Sequence, residues 1–324
     1  MNKLSIGVLG CADIADRMVI PAICSLAQFQ LHGVASREKA KAQLFSEKFN
    51  TYAFGSYEAL LESNVESVYI PLPNGLHYEW IKKSLEHRKH VLVEKSMACS
   101  LKEVIHLNEL ARDKGLALVE NFQFRFHPQM TLIQSKVDEG VIGELRNIRA
   151  SFGFPPFNDS NNIRYKKELG GGALFDAGAY TIKVAQIFLG EDIYVGSSTL
   201  ERPSYREVDI WGGASLKQKH GNLEAQVAFG FDNFYQNSLE LWGAKGKITA
   251  PRIFTAPPGC EASVLIQTSQ GASEIKISPA NHFQNMLRHF YSLVNSGNGL
   301  QSEYEQNINQ SRLIEELYEK AIYG

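Results

Sequence analysis

Cysteine is scarce. The 324 residues carry four, Cys11, Cys24, Cys99 and Cys260, scattered and without a C-x-x-C pair. That spacing argues against a disulfide framework and a cysteine zinc site, and predicts buried free thiols in a reducing cytoplasm. Charge of one sign is missing too: 33 Lys and Arg against 35 Asp and Glu leave a net charge of −2. With no long basic run, neither nucleic acid nor an anionic membrane is an expected partner. The apolar stretch near the N-terminus is short and punctuated by glycine, which predicts neither a signal peptide nor a membrane span. The nine histidines show no metal-ligand spacing, so no metal is expected. Internal repeats and low-complexity segments are absent as well.

What is present is an ordinary globular composition, 44% hydrophobic and 21% charged, on a chain long enough for two domains of ~150 residues. Leu4 to Leu9 reads as a buried parallel strand. Gly10-x-Ala12-x-x-Ala15 follows at once, and the chain reads as helix from Asp13. This is a variant of the glycine fingerprint of dinucleotide-binding βαβ units. Gly10 makes the tight turn, a small residue at 12 lets the backbone approach a pyrophosphate, and a small residue at 15 lets helix and strand pack. The pyrophosphate would rest on the helix N-terminus, where unpaired N–H groups and the dipole favour negative charge. A strand-turn-helix with small residues chosen only for packing is the competing explanation, because Ala12 replaces the middle glycine.

Strands expected at 29–35, 65–70, 90–93 and 116–119 alternate with helices at 39–49, 57–61, 76–87 and 101–114. The pattern predicts a doubly wound parallel sheet. In such sheets ligands lie beyond the carboxyl ends of the strands. Ser36 and Arg37, with Lys41 nearby, stand at the end of the second strand. A carboxylate there would bind a ribose 2′-hydroxyl, whereas an arginine suits a 2′-phosphate, so NADP(H) is favoured over NAD(H). An arginine merely solvated at a strand end is the alternative. Pro71 to Asn74, Glu94-Lys95 and Glu120-Asn121 mark three further strand ends. Beyond a boundary near residue 121 the pattern changes to runs of strands with helices at the ends, the last two at about 283–294 and 303–322. That predicts an α+β domain on a largely antiparallel open sheet, with domains at 1–121 and 122–324.

The cofactor contacts this arrangement offers are Gly10, Cys11, Ala12, Asp13 and Ile14, then Ser36, Arg37 and Lys41, then Leu72, Asn74 and His77, and finally Glu94, Lys95 and Asn121. His77 either touches a ligand or caps the following helix. Lys95 ends a strand where a nicotinamide would lie; a lysine partly withdrawn from water there can hydrogen-bond a reacting oxygen, and an exposed lysine in a turn is the alternative. Asp176 and Tyr180 stand four apart on the helix after Gly170-Gly171-Gly172, so they share a face. A tyrosine there can protonate a carbonyl oxygen as hydride reaches the carbon, helped by a nearby ammonium. A buried tyrosine with a satisfied hydroxyl beside a pairing aspartate is the plainer reading. Arg125, in the aromatic run 121–128, is the residue favoured for a charged ligand, although alternating aromatics are more often core; Tyr165 and Tyr235 complete the candidate substrate contacts.

Taken together, these residues resemble the Gfo/Idh/MocA family of NAD(P)-dependent oxidoreductases over essentially the whole chain. The matching elements are Gly10-x-Ala12-x-x-Ala15, Pro73-Asn74-x-x-His77, Glu94-Lys95, Arg125-Phe126-x-Pro128 and Gly170-Gly171-Gly172-Ala173-Leu174-x-Asp176-x-Gly178-x-Tyr180. The resemblance implies a Rossmann domain, an α/β domain whose open sheet often mediates dimers or tetramers, and catalytic roles for Lys95, Asp176 and Tyr180. Ser96 departs from the proline usual after the lysine, which removes a fixed φ. Within the family the chain looks like NADP-dependent sugar-nucleotide 3-ketoreductases, on 151–156, on 162–165 and on 254–258 after 241–243. The implied activity is NADPH-dependent reduction of a keto-sugar, with Asp176 holding Lys95 or a sugar hydroxyl. A dehydrogenase of free sugars or trans-dihydrodiols is the alternative. A non-catalytic NADP-binding regulator is a further one, but it would have no need of an acid and its activator.

Overall fold

A computed structural model describes residues 3–324 of the chain, which divides into two compact units. The first holds the chain up to Asn121 together with Phe283–Ser311, and the second holds Phe122–His282 with Arg312–Gly324.

In the first unit β1 (Leu4–Leu9) is followed by a helical stretch from Asp13, which widens to π geometry over Ala15–Val19 and continues as α1 (Ile20–Ser25). Pro21 stands in the first turn of α1, where its missing N–H is not needed. Then come β2 (Phe29–Ala35), α2 (Lys39–Phe49), β3 (Tyr52–Phe54), α3 (Tyr57–Glu62), β4 (Ser67–Ile70), α4 (Asn74–Glu86), β5 (His90–Glu94), α5 (Leu101–Lys114) and β6 (Leu118–Asn121). The helix ends carry their own signals. Ser100 Oγ accepts from Glu103 N at 3.3 Å while Glu103 reaches back to Cys99 N, a capping-box arrangement, and Gly115 at φ +67° stops α5. The six strands pair in parallel in the order β3-β2-β1-β4-β5-β6. Val68, Tyr69, Ile70, Val91, Leu92 and Val93 are all fully buried, as a parallel sheet covered on both faces requires. The three-residue strand β3 escapes the sequence pattern because Tyr52 is exposed and nothing alternates over so short a run.

The second unit contains α6 (Pro128–Asp138), β7 (Leu145–Gly153), α7 (Ala179–Leu189), β8 (Ile193–Glu201), β9 (Trp211–Gln218), β10 (Glu224–Gly230), β11 (Gln236–Gly243), β12 (Gly246–Ala250), β13 (Ala262–Thr268) and β14 (Gly271–Ile277). After these, α8 (His282–Ser296), α9 (Leu300–Glu319) and β15 (Ala321–Tyr323) close the chain. Nine strands form one sheet in the order β14-β13-β12-β11-β7-β10-β9-β8-β15. It is antiparallel except for β7 with β10 and β15 with β8, so the expected α/β plus α+β architecture is present.

Two sequence expectations need correction. The last helix does not extend to Ile322; that residue lies in β15, beside Thr199 of β8, because an edge strand of three residues carries no periodicity to read. Nor is 122–324 one continuous unit. Residues 283–311 pack with the first: Tyr291 stacks edge-on with Phe29 at 5.8 Å, Tyr304 Oη donates to Leu116 O at 2.6 Å, and Asn307 Nδ2 donates to Asn108 Oδ1 and Leu118 O at 3.0 Å. Losing such a buried amide would strand its acceptors at a cost of about 1–3 kcal/mol.

The loops at the strand ends are pinned by buried polar groups. His77 on α4 is fully buried; Nδ1 lies 2.7 Å from Ser96 O and Nε2 2.7 Å from Leu72 O. A neutral imidazole donates to only one of them. Burial outweighs the pull of both carbonyls and holds the imidazole down from 6.5 to about 4. Between those two values the unfolded chain takes up a proton that the folded chain refuses, so stability that is complete above pH 6.5 is lost as the pH falls towards 4. A tenfold difference in proton affinity between the two states is worth about 1.4 kcal/mol. The urea midpoint should therefore fall between pH 7 and 4.5, and His77→Asn, less stable at neutral pH, should lose less over that window. Equal slopes for the two proteins would show that His77 is not the responsible group.

Candidate active site

Gly10 adopts φ +120°, its N–H donates to Ala35 O at 2.9 Å, and a Cβ at this position would lie 2.7 Å from Leu72 Cδ2. The ends of β1 and β2 and the loop after β4 therefore meet at one point. The strand order reverses between β1 and β4, the place where open α/β sheets bind ligands. The helical turn beginning at Asp13 offers N–H groups with no intrahelical acceptor. Asp13 itself turns its carboxylate outward to Arg17 at 2.8 Å, so its contribution to a ligand is the main chain.

Around this turn the structure gathers Cys11, Ser36, Arg37 and Lys41. Of the four cysteines expected to be buried Cys11 is, whereas Cys24, Cys99 and Cys260 are exposed. Burial pushes the Cys11 thiol up to about 11, while the Lys41 charge and a hydrogen bond with Ser36 act the other way. The thiol stays neutral, which suits packing rather than nucleophilic chemistry. Arg37 and Lys41 are exposed, and the Arg37 charge opposes the upward push of burial on the Tyr57 phenol. Of the carboxylates nearby, Asp16 is tied to Lys48 at 2.7 Å, and exposed Glu38 uses its N–H on Ser36 Oγ. A cationic pocket edge with a buried serine fits a phosphate better than a ribose hydroxyl.

Further along the same sheet, Glu94 Oε1 accepts from Tyr69 Oη at 2.6 Å and from Asn121 Nδ2 at 2.7 Å. Burial nonetheless holds its carboxyl above the usual range. Met97 N donates to Glu120 Oε1 at 2.8 Å, and between these anchors the Lys95–Ser96 peptide is cis. Lys95 is half-buried; Asn121 is fully buried, with no partner for its Oδ1 among the described residues. Leu72 and Asn74 are half-buried, Leu72 against Gly10. His77, expected as a ligand contact or a helix cap, has both ring nitrogens on main-chain carbonyls and no exposed surface, and it pins the loop of Lys95.

In the second unit the glycine run explains itself. Gly172, at φ +119°, would place a Cβ 2.6 Å from Asp209 Oδ1. Its N–H donates to Arg164 O at 2.9 Å, which fastens the 162–166 segment beside the following helix. Asp209 accepts from Leu174 N and Tyr318 Oη at 2.6 and 2.9 Å, and so caps that helix from outside. Arg164 Nε then meets Asp176 Oδ2 at 2.6 Å. Asp176, expected to hold Lys95 or a sugar hydroxyl, thus has Arg164 as one partner. Tyr180 is 8% exposed, its ring boxed by Phe122, Phe124, Phe152 and Phe254 at 5.3–5.9 Å. Its hydroxyl lies 3.4 Å from the Gln123 amide, too long for a strong bond.

The remaining candidates fall into separate places. Arg125 is half-buried over Phe126 at 5.2 Å. Tyr165 accepts from Phe157 N at 3.1 Å and carries the Arg206 guanidinium 4.0 Å above its ring. Tyr235 is exposed and accepts from Asn237 Nδ2 at 3.1 Å. Sequence reasoning missed Lys183, which is 2% exposed and one turn beyond Tyr180, with Nζ 5.2 Å from the Phe122 ring. The available signal was a lone charge inside an otherwise apolar helix. The roles of Arg164 and Arg206 were missed too, and neither has a sequence signal before its aromatic platform is known.

The arrangement in the first unit fits a dinucleotide: a glycine whose missing side chain opens the turn, free N–H groups, a cationic edge and an orphaned amide acceptor. Comparison with known proteins agrees. Residues 4–122 match the profile of an oxidoreductase family with an NAD-binding Rossmann fold, and residues 130–249 that of the GFO/IDH/MocA C-terminal domain. The chain is 37% identical, over 97% of its length and 94% of the relative's, to dTDP-3,4-didehydro-2,6-dideoxy-alpha-D-glucose 3-reductase of Actinomadura kijaniata. D-xylose 1-dehydrogenase (NADP(+)) 2 of Haloferax volcanii is 29% identical, over 98% and 97%. KijD10, a 3-ketoreductase from Actinomadura kijaniata solved in complex with NADP and TDP-benzene, superposes with a TM-score of 0.95 at 36% identity, covering 100% of both chains. The chain belongs to the GFO/IDH/MocA family of oxidoreductases.

Proposed function

We propose that this protein is an NADPH-dependent reductase of a nucleotide-linked keto-sugar, acting at C3. The observation that carries the reading is the full-length likeness to a dTDP-sugar 3-reductase and to a 3-ketoreductase solved with NADP and TDP-benzene. The cationic edge at Ser36, Arg37 and Lys41 supports the phosphorylated cofactor. An NADP-dependent dehydrogenase of free sugars or trans-dihydrodiols is the second reading, favoured by the likeness to the xylose dehydrogenase.

In this assignment the main chain at Gly10, Cys11, Ala12, Asp13 and Ile14 receives the pyrophosphate. Ser36, Arg37 and Lys41 take the 2′-phosphate, and Leu72, Asn74, Glu94 and Asn121 shape the nicotinamide end. The bound cofactor supplies hydride to the carbonyl carbon. Tyr180 Oη gives its proton to the carbonyl oxygen, and the Lys95 ammonium stabilises the negative charge developing there and eases the phenol's proton release. Asp176 keeps its assignment to Lys95 or a sugar hydroxyl and also holds the Arg164 guanidinium, which feels the charge of the phenol. Arg125, Tyr165 and Tyr235 are assigned to substrate. Residues 1–121 serve the cofactor and 122–324 the substrate, apart from the returning 283–311 segment. The enzyme works in the cytoplasm as a homo-oligomer, a dimer or tetramer, through the open sheet face. There Trp242, 53% exposed, lies near Arg149 and within a strand bearing Glu240.

Tyr180→Phe should lower kcat roughly 10²- to 10⁴-fold with NADPH affinity unchanged; activity within a few-fold of wild type would remove Tyr180 from the role of acid. Arg37→Ala should weaken NADPH binding by about 1.5–3 kcal/mol, the worth of hydrogen bonds to a charged group, and leave NADH binding as it is. Calorimetric titration of both cofactors decides this, and parallel losses would place Arg37 away from the 2′-phosphate. Light scattering should return a mass of two or four chains, reduced by Trp242→Glu. A monomeric wild-type protein ends the oligomer assignment.

A further inference from the structure

Two guanidinium groups flank one aromatic cluster in the second unit, and they differ in a single respect. Arg164 lies 4.9 Å over Phe157 and is neutralised by Asp176. Arg206, in the loop between β8 and β9, lies 4.0 Å over Tyr165 and is half-buried. Among the described residues it has no carboxylate within ion-pair distance and no side-chain hydrogen bond.

The platform under Arg206 is rigid. Tyr165 packs edge-on against Phe157 and Phe231 at 5.9 and 6.1 Å, and its hydroxyl is fastened to Phe157 N. Arg206 N donates to Pro203 O at 2.8 Å, which folds the loop back over the ring. The nearest buried carboxylate in sequence, Asp209, already serves Leu174 N and Tyr318 Oη. A guanidinium stacked on a ring is held at its face and keeps its in-plane N–H donors aimed outward. Withdrawing that charge from water without a counter-ion is costly, and a bidentate phosphate is the ligand that offsets it. Contacts run on from Tyr165 through Phe157 and Arg164 to Asp176, one helical turn before Tyr180.

We propose that Arg206, presented by Tyr165, binds the diphosphate linking the keto-sugar to its nucleoside, and thereby makes the enzyme select nucleotide-linked over free sugars. The inference rests on the keto-sugar reductase reading and adds to it a residue that separates two substrate classes.

The test is calorimetric titration of the full-length protein with thymidine 5′-diphosphate and, separately, with NADPH, for wild type, Arg206→Gln, Arg206→Lys and the same-loop control Arg202→Gln. Arg206→Gln should weaken the nucleoside diphosphate roughly 10- to 100-fold. It should also flatten the salt dependence of that binding and leave NADPH affinity unchanged. Arg206→Lys should recover only part, because an ammonium lacks the planar fork, and Arg202→Gln should match wild type. With the nucleotide-linked substrate, Arg206→Gln should raise KM far more than it lowers kcat. Unaltered nucleoside diphosphate affinity in Arg206→Gln overturns the proposal while the reductase reading stands. Equal losses for both ligands assign Arg206 to the fold and also overturn it. A wild-type protein that binds NADPH but no nucleoside diphosphate at millimolar concentration overturns both the proposal and the nucleotide-linked substrate.

Discussion

A side chain at position 10 would collide with Leu72, and most of the first unit follows from the close approach that makes this so. β1 must end where β2 and the loop after β4 converge, because Gly10 gives its N–H to Ala35 and its open face to Leu72. The φ of +120° that permits this is accessible to glycine at little cost and to other residues only with strain. Helical turns that start immediately afterwards leave N–H groups pointing at the same spot. Ala12 can replace the fingerprint's middle glycine here because the crowding falls on position 10, where the backbone, not a side chain, faces the β4 loop. The turn defines the cofactor end of the sheet before any charged residue is considered.

Several polar residues at the strand ends then serve as anchors. Glu94 is spent on Tyr69 and Asn121, Glu120 on Met97 N, and His77 on two carbonyls. All of them surround Lys95, whose backbone is thereby held from both sides while its side chain is only half-buried. Proline would have fixed this loop through a locked φ. With Ser96 in its place, the same segment is held by hydrogen bonds from neighbouring strands and α4. In the second unit the aromatic box around Tyr180 plays the corresponding part, fixing the ring from four sides. A phenol fixed by its ring is positioned by packing, without relying on its hydroxyl for that.

How much of this was legible follows from the range over which each feature acts. The strand-helix alternation, the Gly10 turn, the α5 stop at Gly115 and the strand ends at Ser36, Lys95 and Asn121 depend on neighbours a few residues away, and periodicity exposes them. The same holds for the shared face of Asp176 and Tyr180. What could not be read was partnership across long separations. Nothing in the sequence joins Asp176 to Arg164; that pair exists because Gly172 brings residue 164 beside the helix. His77 looks like a ligand contact because its position in a motif says nothing of two carbonyls arriving from residues 72 and 96. The return of 283–311 to the first unit rests on Tyr291, Tyr304 and Asn307, polar or aromatic side chains in helices whose apolar faces fit either core.

Arg164 and Arg206 show why composition conceals a site. Both are arginines on aromatic rings, and a count of charges treats them alike. Stacking on a ring contributes about 0.5–1 kcal/mol when exposed and roughly 2 kcal/mol or more when desolvated, enough to orient a guanidinium but not to replace lost hydration. Asp176 supplies that replacement for Arg164, which accordingly holds its proton more tightly than a free arginine. Arg206 has the same platform without the carboxylate, and its only loop neighbour with buried charge, Asp209, is engaged elsewhere. One member of the pair therefore completes the protein's own electrostatics and the other is completed by a ligand. The difference lies in a missing partner, which only the folded chain reveals.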